Sequence, residues 1–324
     1  MAAREPLPDA VIIGAPKAGT SALHAALAQH PQIYASPVKE PKYYMCWDAP
    51  PPAYRGPGDA HSNQEWIWRR GDYETLFRGA PDDAVKLEST PFYLYLANAR
   101  RRIAEELPNA KLIVIVRDPI DRAYSNWMHL WADGLEPIAD FVEAWQAEDG
   151  RLADGWAPFW HYRRLGRYGE QLADLFGRVE CERVFVLRYW QLVSQPNETL
   201  NRAARFLGIA EDQVTAIPSD NARPFVEPGV RAAVVGRVIR ACAAAGNYLP
   251  PQVWRQASKP LVSLLQRGGP IQRPKVPAEQ RTALLGDCAD DIALLEQTLG
   301  ESFQDWRSAA GRGSFAERTQ SPQS

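Results

Sequence analysis

The residues with the clearest chemical potential lie in "VIIGAPKAGTSALHAAL", residues 11 to 27. An apolar run leads into Gly14, four residues separate it from Gly19, and the hydroxyl pair Thr20 and Ser21 follows. A glycine loop that enters a helix presents backbone N–H groups and the positive end of the helix dipole, and both favour an anion. Lys17 adds a full charge inside the loop, and the two hydroxyls add donors. Nucleotide kinases place their lysine directly after the second glycine, in G-x-x-x-x-G-K-[ST]; here it stands earlier, at Lys17. A plain strand-to-helix turn also uses glycines, but the lysine and the hydroxyl pair favour anion binding over it.

A second loaded stretch is "KLIVIVRDPIDRAYSNW", residues 111 to 127. Five consecutive apolar residues end in Arg117 and Asp118. A Walker-type kinase needs a Mg²⁺-holding aspartate at the end of such a strand. Here an arginine comes first, and arginine grips phosphate rather than metal. Ser125 falls eight residues on, within the next helix, where its hydroxyl can share the anion with Arg117. The plainer alternative is a surface arginine and a helical serine, with Asp118 and Arg122 paired locally.

These residues need elements to hold them. "DAVIIGA" (9 to 15), "AVKLEST" (84 to 90), "KLIVIV" (111 to 116) and "RVFVLRY" (183 to 189) read as short buried strands. Helices are expected from Gly19 to Gln29, over "DYETLF", over "NARRRIAEELP", after Pro119, at 197 to 208 and at 277 to 300. Residues 36 to 63 are rich in proline and glycine and read as loop. Strands alternating with helices imply an α/β fold: a P-loop-like parallel β-sheet flanked by helices. Ligands in such folds sit beyond the carboxyl ends of the strands. Both loaded stretches lie at such ends.

The bulk numbers limit the function. The chain has 324 residues, and its net charge of -2 gives no general attraction to nucleic acid. Cys46, Cys181, Cys242 and Cys288 form no C-x-x-C pair, which fits reduced thiols rather than a metal or disulfide framework. The start lacks the apolar run of a signal peptide, and no stretch has the length of a membrane span, so a cytoplasmic location is expected. Most of the 11 tryptophans are expected in the core.

"GAPKAGTSAL" together with "VRDPIDRAYSNW" resembles the two signatures of the sulfotransferases that use 3′-phosphoadenosine 5′-phosphosulfate (PAPS). The first is similar to their 5′-phosphosulfate loop, the second to their 3′-phosphate motif. "KEPKYY" (39 to 44) and "ESTPFYL" (88 to 94) resemble segments of the bacterial and heparan-sulfate-type branch. "LGRYGEQLADLF", "VFVLRYWQLVSQPNETLNRAARFLGI" and "DIALLEQTLGESFQDW" follow the same pattern. The resemblance covers roughly residues 9 to 210 and 278 to 306.

The resemblance implies roles. Lys17 reaches the phosphosulfate and stabilises charge on the bridging oxygen, and the backbone at Ala18, Gly19, Thr20 and Ser21 cradles the 5′-phosphate. Arg117 and Ser125 recognise the 3′-phosphate, a group that ATP lacks. Glu40 matches the proposed base that takes the acceptor's proton. No metal is implied, and 3′-phosphoadenosine 5′-phosphate (PAP) is the product. The relatives' lysine in E-K-[TS]-P is Ser89 here, which leaves two alternatives: Lys42 or another residue substitutes for it, or the transfer is arranged differently; Glu88 is a second carboxylate candidate. Trp190 replaces an acidic residue at a position read as structural. His24, His30, His61, His129 and His161 match no family base and read as structural or surface residues.

One sulfotransferase domain is expected over 9 to 306, with flexible tails at 1 to 8 and 308 to 324. It carries a basic variable segment at 221 to 277. Residues 228 to 278 contain no aspartate or glutamate before Glu279, while Arg231, Arg237, Arg240, Arg255, Lys259, Arg267, Arg273 and Lys275 are all basic. This segment can serve the cofactor, an anionic acceptor, a solvated surface or an anionic membrane. Trp47, Trp66 and Trp68 can wall an acceptor site for a glycan, a lipid or another small molecule bearing a hydroxyl. The competing functions are an ATP-dependent P-loop kinase-like enzyme and a non-catalytic nucleotide-binding protein on the same fold.

Overall fold

A computed structural model describes residues 5–56, 66–214, 216–217, 226–227, 229–246, 259–263, 265–266 and 274–308. Strand β1 (Ala10–Gly14) feeds helix α1 (Thr20–Leu27), followed by β2 (Ile33–Ala35), α2 (Tyr43–Cys46), α3 (Arg70–Thr75) and β3 (Val85–Ser89). Next come α4 (Ala97–Glu106), β4 (Lys111–Val116), α5 (Pro119–Ala132), α6 (Phe141–Gln146), α7 (Glu148–Ala153) and α8 (Tyr168–Phe176). β5 (Val184–Arg188), α9 (Tyr189–Ser194), α10 (Pro196–Leu207), α11 (Val230–Gly246) and α12 (Ala278–Leu299) complete the order.

The chain forms two compact units. One comprises Met1–Tyr54, His61–Arg117 and Asp174–Ala222; the other comprises Arg55–Ala60, Asp118–Ala173 and Arg223–Ser324. Among the described residues, the five strands of the sheet belong to the first unit, in the order β2-β3-β1-β4-β5, and every pairing in it is parallel. This is the expected α/β architecture. All of β1 and the run Leu112–Val116 of β4 are buried, which is why they read as unbroken apolar runs. Each aliphatic side chain so buried contributes roughly 1.5–3 kcal/mol.

The register sets the site. Ile12 of β1 aligns with Ser89 of β3 and with Ile113 of β4, and Val116 of β4 aligns with Arg188 of β5. The carboxyl ends of β1, β3, β4 and β5 therefore lie along one edge. From the central β1 the order runs to β3 on one side and β4 on the other, so the chain changes direction there.

In the second unit, α5 carries a ladder of aromatic rings. Tyr124 stacks on Trp127 at 5.5 Å and Trp127 on Trp131 at 6.1 Å, with Phe141 edge-on to Tyr124 at 5.1 Å. These rings, with Trp145 and Trp160, are buried, as expected of core tryptophans. Asp118 caps α5, accepting from the Ile120 and Asp121 amides at 3.0 and 3.1 Å. Its charge partner is the buried Arg281 of α12, not Arg122, whose guanidinium donates to the Tyr162 carbonyl. Asp291 of α12 accepts from the Gly169 and Glu170 amides at 2.9 and 3.0 Å and so caps the start of α8.

Some expectations needed correction. Of the expected loose arm at 1 to 8, residues 5 to 8 pack against the sheet unit: Leu7 is buried and the Glu5 carbonyl accepts from Lys86. Part of the expected loop at 36 to 63 folds as α2. Residues 1–4, 57–63 of that loop with His61, and the tail at 309–324 lie outside the described residues. So do Arg255, Arg267, Arg273 and the side chain of Arg231 from the basic segment.

Candidate functional site

The loop after β1 is built to bring backbone close to a ligand. The Ala15 amide donates to the Ile115 carbonyl of β4 at 2.9 Å, so the loop leaves β1 tied to its neighbour. Lys17 and Gly19 both have positive φ, 65° and 97°. Gly19 has a second reason to be glycine: a Cβ there would lie 3.0 Å from Tyr189 Cδ2. No side-chain oxygen caps the start of α1 and its first turn holds no acidic residue. The first-turn N–H groups of a helix lack partners within the helix. With Lys17, Thr20 and Ser21 beside them, they form a cradle that suits a phosphate group.

Arg117 follows β4 and turns back over this loop. Its Nη1 donates to the Lys17 carbonyl at 3.2 Å. Its guanidinium lies over the Tyr189 ring, 4.6 Å from the centroid. Tyr189 opens α9 directly after β5, so three strand ends contribute to one spot. Sequence reasoning missed Tyr189; the signal was its place immediately after a buried strand aligned with β4.

The segment after β2 delivers Glu40. Its amide donates to the Ser89 carbonyl at 3.0 Å, which ties it to the end of β3. Glu40 and Lys42 adopt left-handed φ values of 61° and 65°, uncommon for residues with a Cβ. The Glu40 carboxylate pairs with Lys39 Nζ at 2.8 Å, and the same ammonium donates to Ser21 Oγ at 2.8 Å. A carboxylate and a phosphate-loop hydroxyl thus share one cation.

Ser89, where the resemblance expects a lysine, is fully buried, and its Oγ is 2.7 Å from His24 Nδ1. His24 sits on α1. Burial chiefly, and then the Lys39 ammonium, push its imidazole down to about 4, against an opposing pull from Glu40. It is therefore neutral near neutral pH. The sequence reading gave His24 no place in this cluster; the helix face it occupies puts it there.

Glu88 is fully enclosed. Tyr73 Oη and Thr90 Oγ1 each donate to its carboxyl at 2.6 Å. Burial pushes it up to about 7 despite these donors, and the Glu40 charge adds to the rise. Glu88 is thus an interior carboxyl under the sheet edge, whereas Glu40 is part-exposed.

Lys42 is buried, with its ammonium 5.1 Å from the Trp66 ring centroid. Arg69 covers Trp68 at 4.6 Å, and Arg101 and Arg102 face Trp47 at 5.5 and 5.1 Å. The three indoles expected to wall an acceptor therefore each face a cation. Ser125 lies buried on α5, in the second unit. In the basic segment, Arg240 of α11 donates to the Gly134 and Glu136 carbonyls at 3.0 and 3.2 Å, while Arg237 is exposed.

A parallel sheet with a lysine-bearing glycine loop after its central strand defines an α/β protein of the phosphate-loop class. Residues 8–213 match the model of the sulfotransferase family. The chain belongs to that family, the PAPS-dependent one that its two loops resemble. Among curated relatives, it is 28% identical over 207 residues to heparan sulfate glucosamine 3-O-sulfotransferase 6 of Mus musculus, covering 64% of this chain and 54% of the relative. It is 26% identical over 204 residues to heparan sulfate glucosamine 3-O-sulfotransferase 3B1 of Homo sapiens, covering 63% and 46%. The chain spans about half the length of these relatives. The crystal structure of a sulfotransferase from Alicyclobacillus acidocaldarius superposes with a TM-score of 0.71 at 26% identity, covering 93% of this chain and 99% of that one.

Proposed function

We propose that the chain transfers the sulfuryl group of PAPS to a hydroxyl of a glycan, glycolipid or other small acceptor, with Glu40 as base. The observation that carries this reading is the shared ammonium of Lys39, which sets the Glu40 carboxylate beside the phosphate-loop residue Ser21.

The residues present fit the donor. The uncapped start of α1, Gly19 pressed against Tyr189, and Lys17 with Thr20 and Ser21 suit the 5′ end. Arg117, stacked on Tyr189 beside the loop, suits the 3′-phosphate, a role that the resemblance also gives to Ser125. When bound, PAPS supplies the activated sulfuryl group. Lys17 adds a positive charge to the loop, and positioning with charge stabilisation is what such a transfer chiefly requires. Glu40 is held by its own backbone bond to Ser89 and takes the proton from the acceptor hydroxyl.

The ATP-dependent reading needs a carboxylate after β4 to hold Mg²⁺. Asp118 is the residue there, and it is engaged in capping α5 and pairing with Arg281. The curated relatives are named for sulfation of a heparan sulfate glucosamine, which supports a hydroxyl-bearing acceptor. Cytoplasmic location, and peripheral membrane contact through 228–275, are part of the same proposal. The exposed Val230, Val234 and Val238 of α11 support the second.

The test is transfer of labelled sulfate from PAPS to a panel of heparosan oligosaccharides, glycolipids and phenols. Labelling of one class by the wild-type chain, lost in Glu40→Gln, is the expected result. PAP binding with no labelling of any class would favour a non-catalytic nucleotide-binding protein.

A further inference from the structure

Lys39 has no role in the reading above beyond contact, yet its position is unusual. Its ammonium is 2.8 Å from Ser21 Oγ on one side and 2.8 Å from Glu40 Oε1 on the other. It also lies close enough to depress His24, which is bonded to Ser89. Two of these neighbours are fixed. Glu40 is tied to the end of β3 through its amide, and Ser21 is in the first turn of α1. Lys39 itself is part-exposed and on a flexible four-carbon stem, so it can reorient between them.

An anion held at Ser21 would compete with the Glu40 carboxylate for this one ammonium. A carboxylate paired with an ammonium at hydrogen-bond distance is less available to accept a proton, because the pair must first be broken. We infer that Lys39 is a positioning residue that couples the phosphate loop to the base: an anion on Ser21 draws the ammonium away from Glu40 and frees the carboxylate for the acceptor. The inference rests on the sulfotransferase reading. It also provides a cation at the sheet edge where position 89 carries only a hydroxyl.

The coupling is testable without an acceptor, by calorimetric titration of PAP. Lys39→Met should weaken PAP binding by about tenfold, the scale of one part-exposed charge-assisted contact. Lys39→Arg should restore affinity to within about threefold, because it keeps the charge within reach. Glu40→Gln should tighten PAP binding by about three- to tenfold, since it removes the competitor for the ammonium. The deciding variant is the double substitution. In the Lys39→Met background, Glu40→Gln should leave PAP affinity unchanged, a coupling that independent effects do not produce. If Glu40→Gln tightens binding equally with and without Lys39, plain charge repulsion explains it and the coupling is wrong. Wild-type affinity in Lys39→Met, with an unchanged melting temperature, also overturns it. Failure of the wild-type chain to bind PAP would instead remove the donor reading, and the coupling with it.

Discussion

The guanidinium of Arg117 lies 4.6 Å above the ring of Tyr189, and the edge of the same ring closes against Gly19. One aromatic residue therefore supports the arginine after β4 and limits the loop after β1. Tyr189→Ala should weaken PAP binding by about tenfold, since a cation–π contact of this kind is worth about 0.5–2 kcal/mol. Tyr189→Phe keeps the ring and should bind PAP like wild type. Calorimetry on the two variants checks this, and equal losses would show that the ring is not the support.

Gly19→Ala should cost roughly 1–3 kcal/mol of stability, because a Cβ is forced into left-handed backbone and against Tyr189. Adding Tyr189→Ala should recover only the steric part. Urea denaturation of the single and double variants measures both parts.

Glu88 gives a pH signature. Its folded value of about 7 stands above the ordinary 4.5, so the folded state holds the proton more tightly than the unfolded chain does. Its contribution to stability is full below about 4.5 and is lost as pH rises through about 7. Glu88→Gln carries no such dependence. The melting temperature of the variant relative to wild type should therefore rise between pH 5 and pH 8, corresponding to about 1–3 kcal/mol. A difference that stays flat across this range would show that Glu88 is ionised throughout.

The strands, the glycine loop and Arg117 were legible in the sequence because each rests on local signals: unbroken apolar runs, glycine spacing, an arginine directly after a strand. Ser21, Glu40 and Lys39 were visible as residue types, but their meeting was not. It depends on β2 lying at the sheet edge next to β3, and the three residues Ile33–Ala35 are too short a strand to show periodicity. His24 has no local signal of its role either. Its neighbour Ser89 is 65 residues away, brought close only by α1 crossing β3. Asp118 shows the opposite case: the near partner in sequence is Arg122, whereas the ion-pair partner in the fold is Arg281, 163 residues away.

His24 and Ser89 form a pair that a lysine at position 89 would disrupt. Ser89 is fully buried, and a buried ammonium beside a neutral imidazole has a large desolvation cost. Ser89→Lys alone should destabilise the chain by about 2–4 kcal/mol. Combined with His24→Ala, which opens space for the stem, the loss should be clearly smaller. Thermal melts of the three variants check it, and additive losses would contradict the pairing.

Arg281 and Asp118 form a buried ion pair in the second unit. Arg281→Met removes the partner of the buried Asp118 and should cost about 3–5 kcal/mol. Asp118→Asn in the same chain should recover part of that, since an asparagine still caps α5 and carries no charge. Equilibrium unfolding of the single and double variants distinguishes the pair from simple loss of packing.

In the proposed function, the loop at Lys17 and the arginine at 117 accept the donor of sulfuryl transfer rather than a nucleoside triphosphate. Isothermal titration of the wild-type chain with PAP in EDTA, and separately with Mg·ATP, tests it most directly. The reading expects saturable PAP binding without metal, weakened by about 100-fold in Arg117→Ala, and no comparable binding of Mg·ATP. Tight Mg·ATP binding with PAP inert, or PAP affinity unchanged in Arg117→Ala, would contradict it.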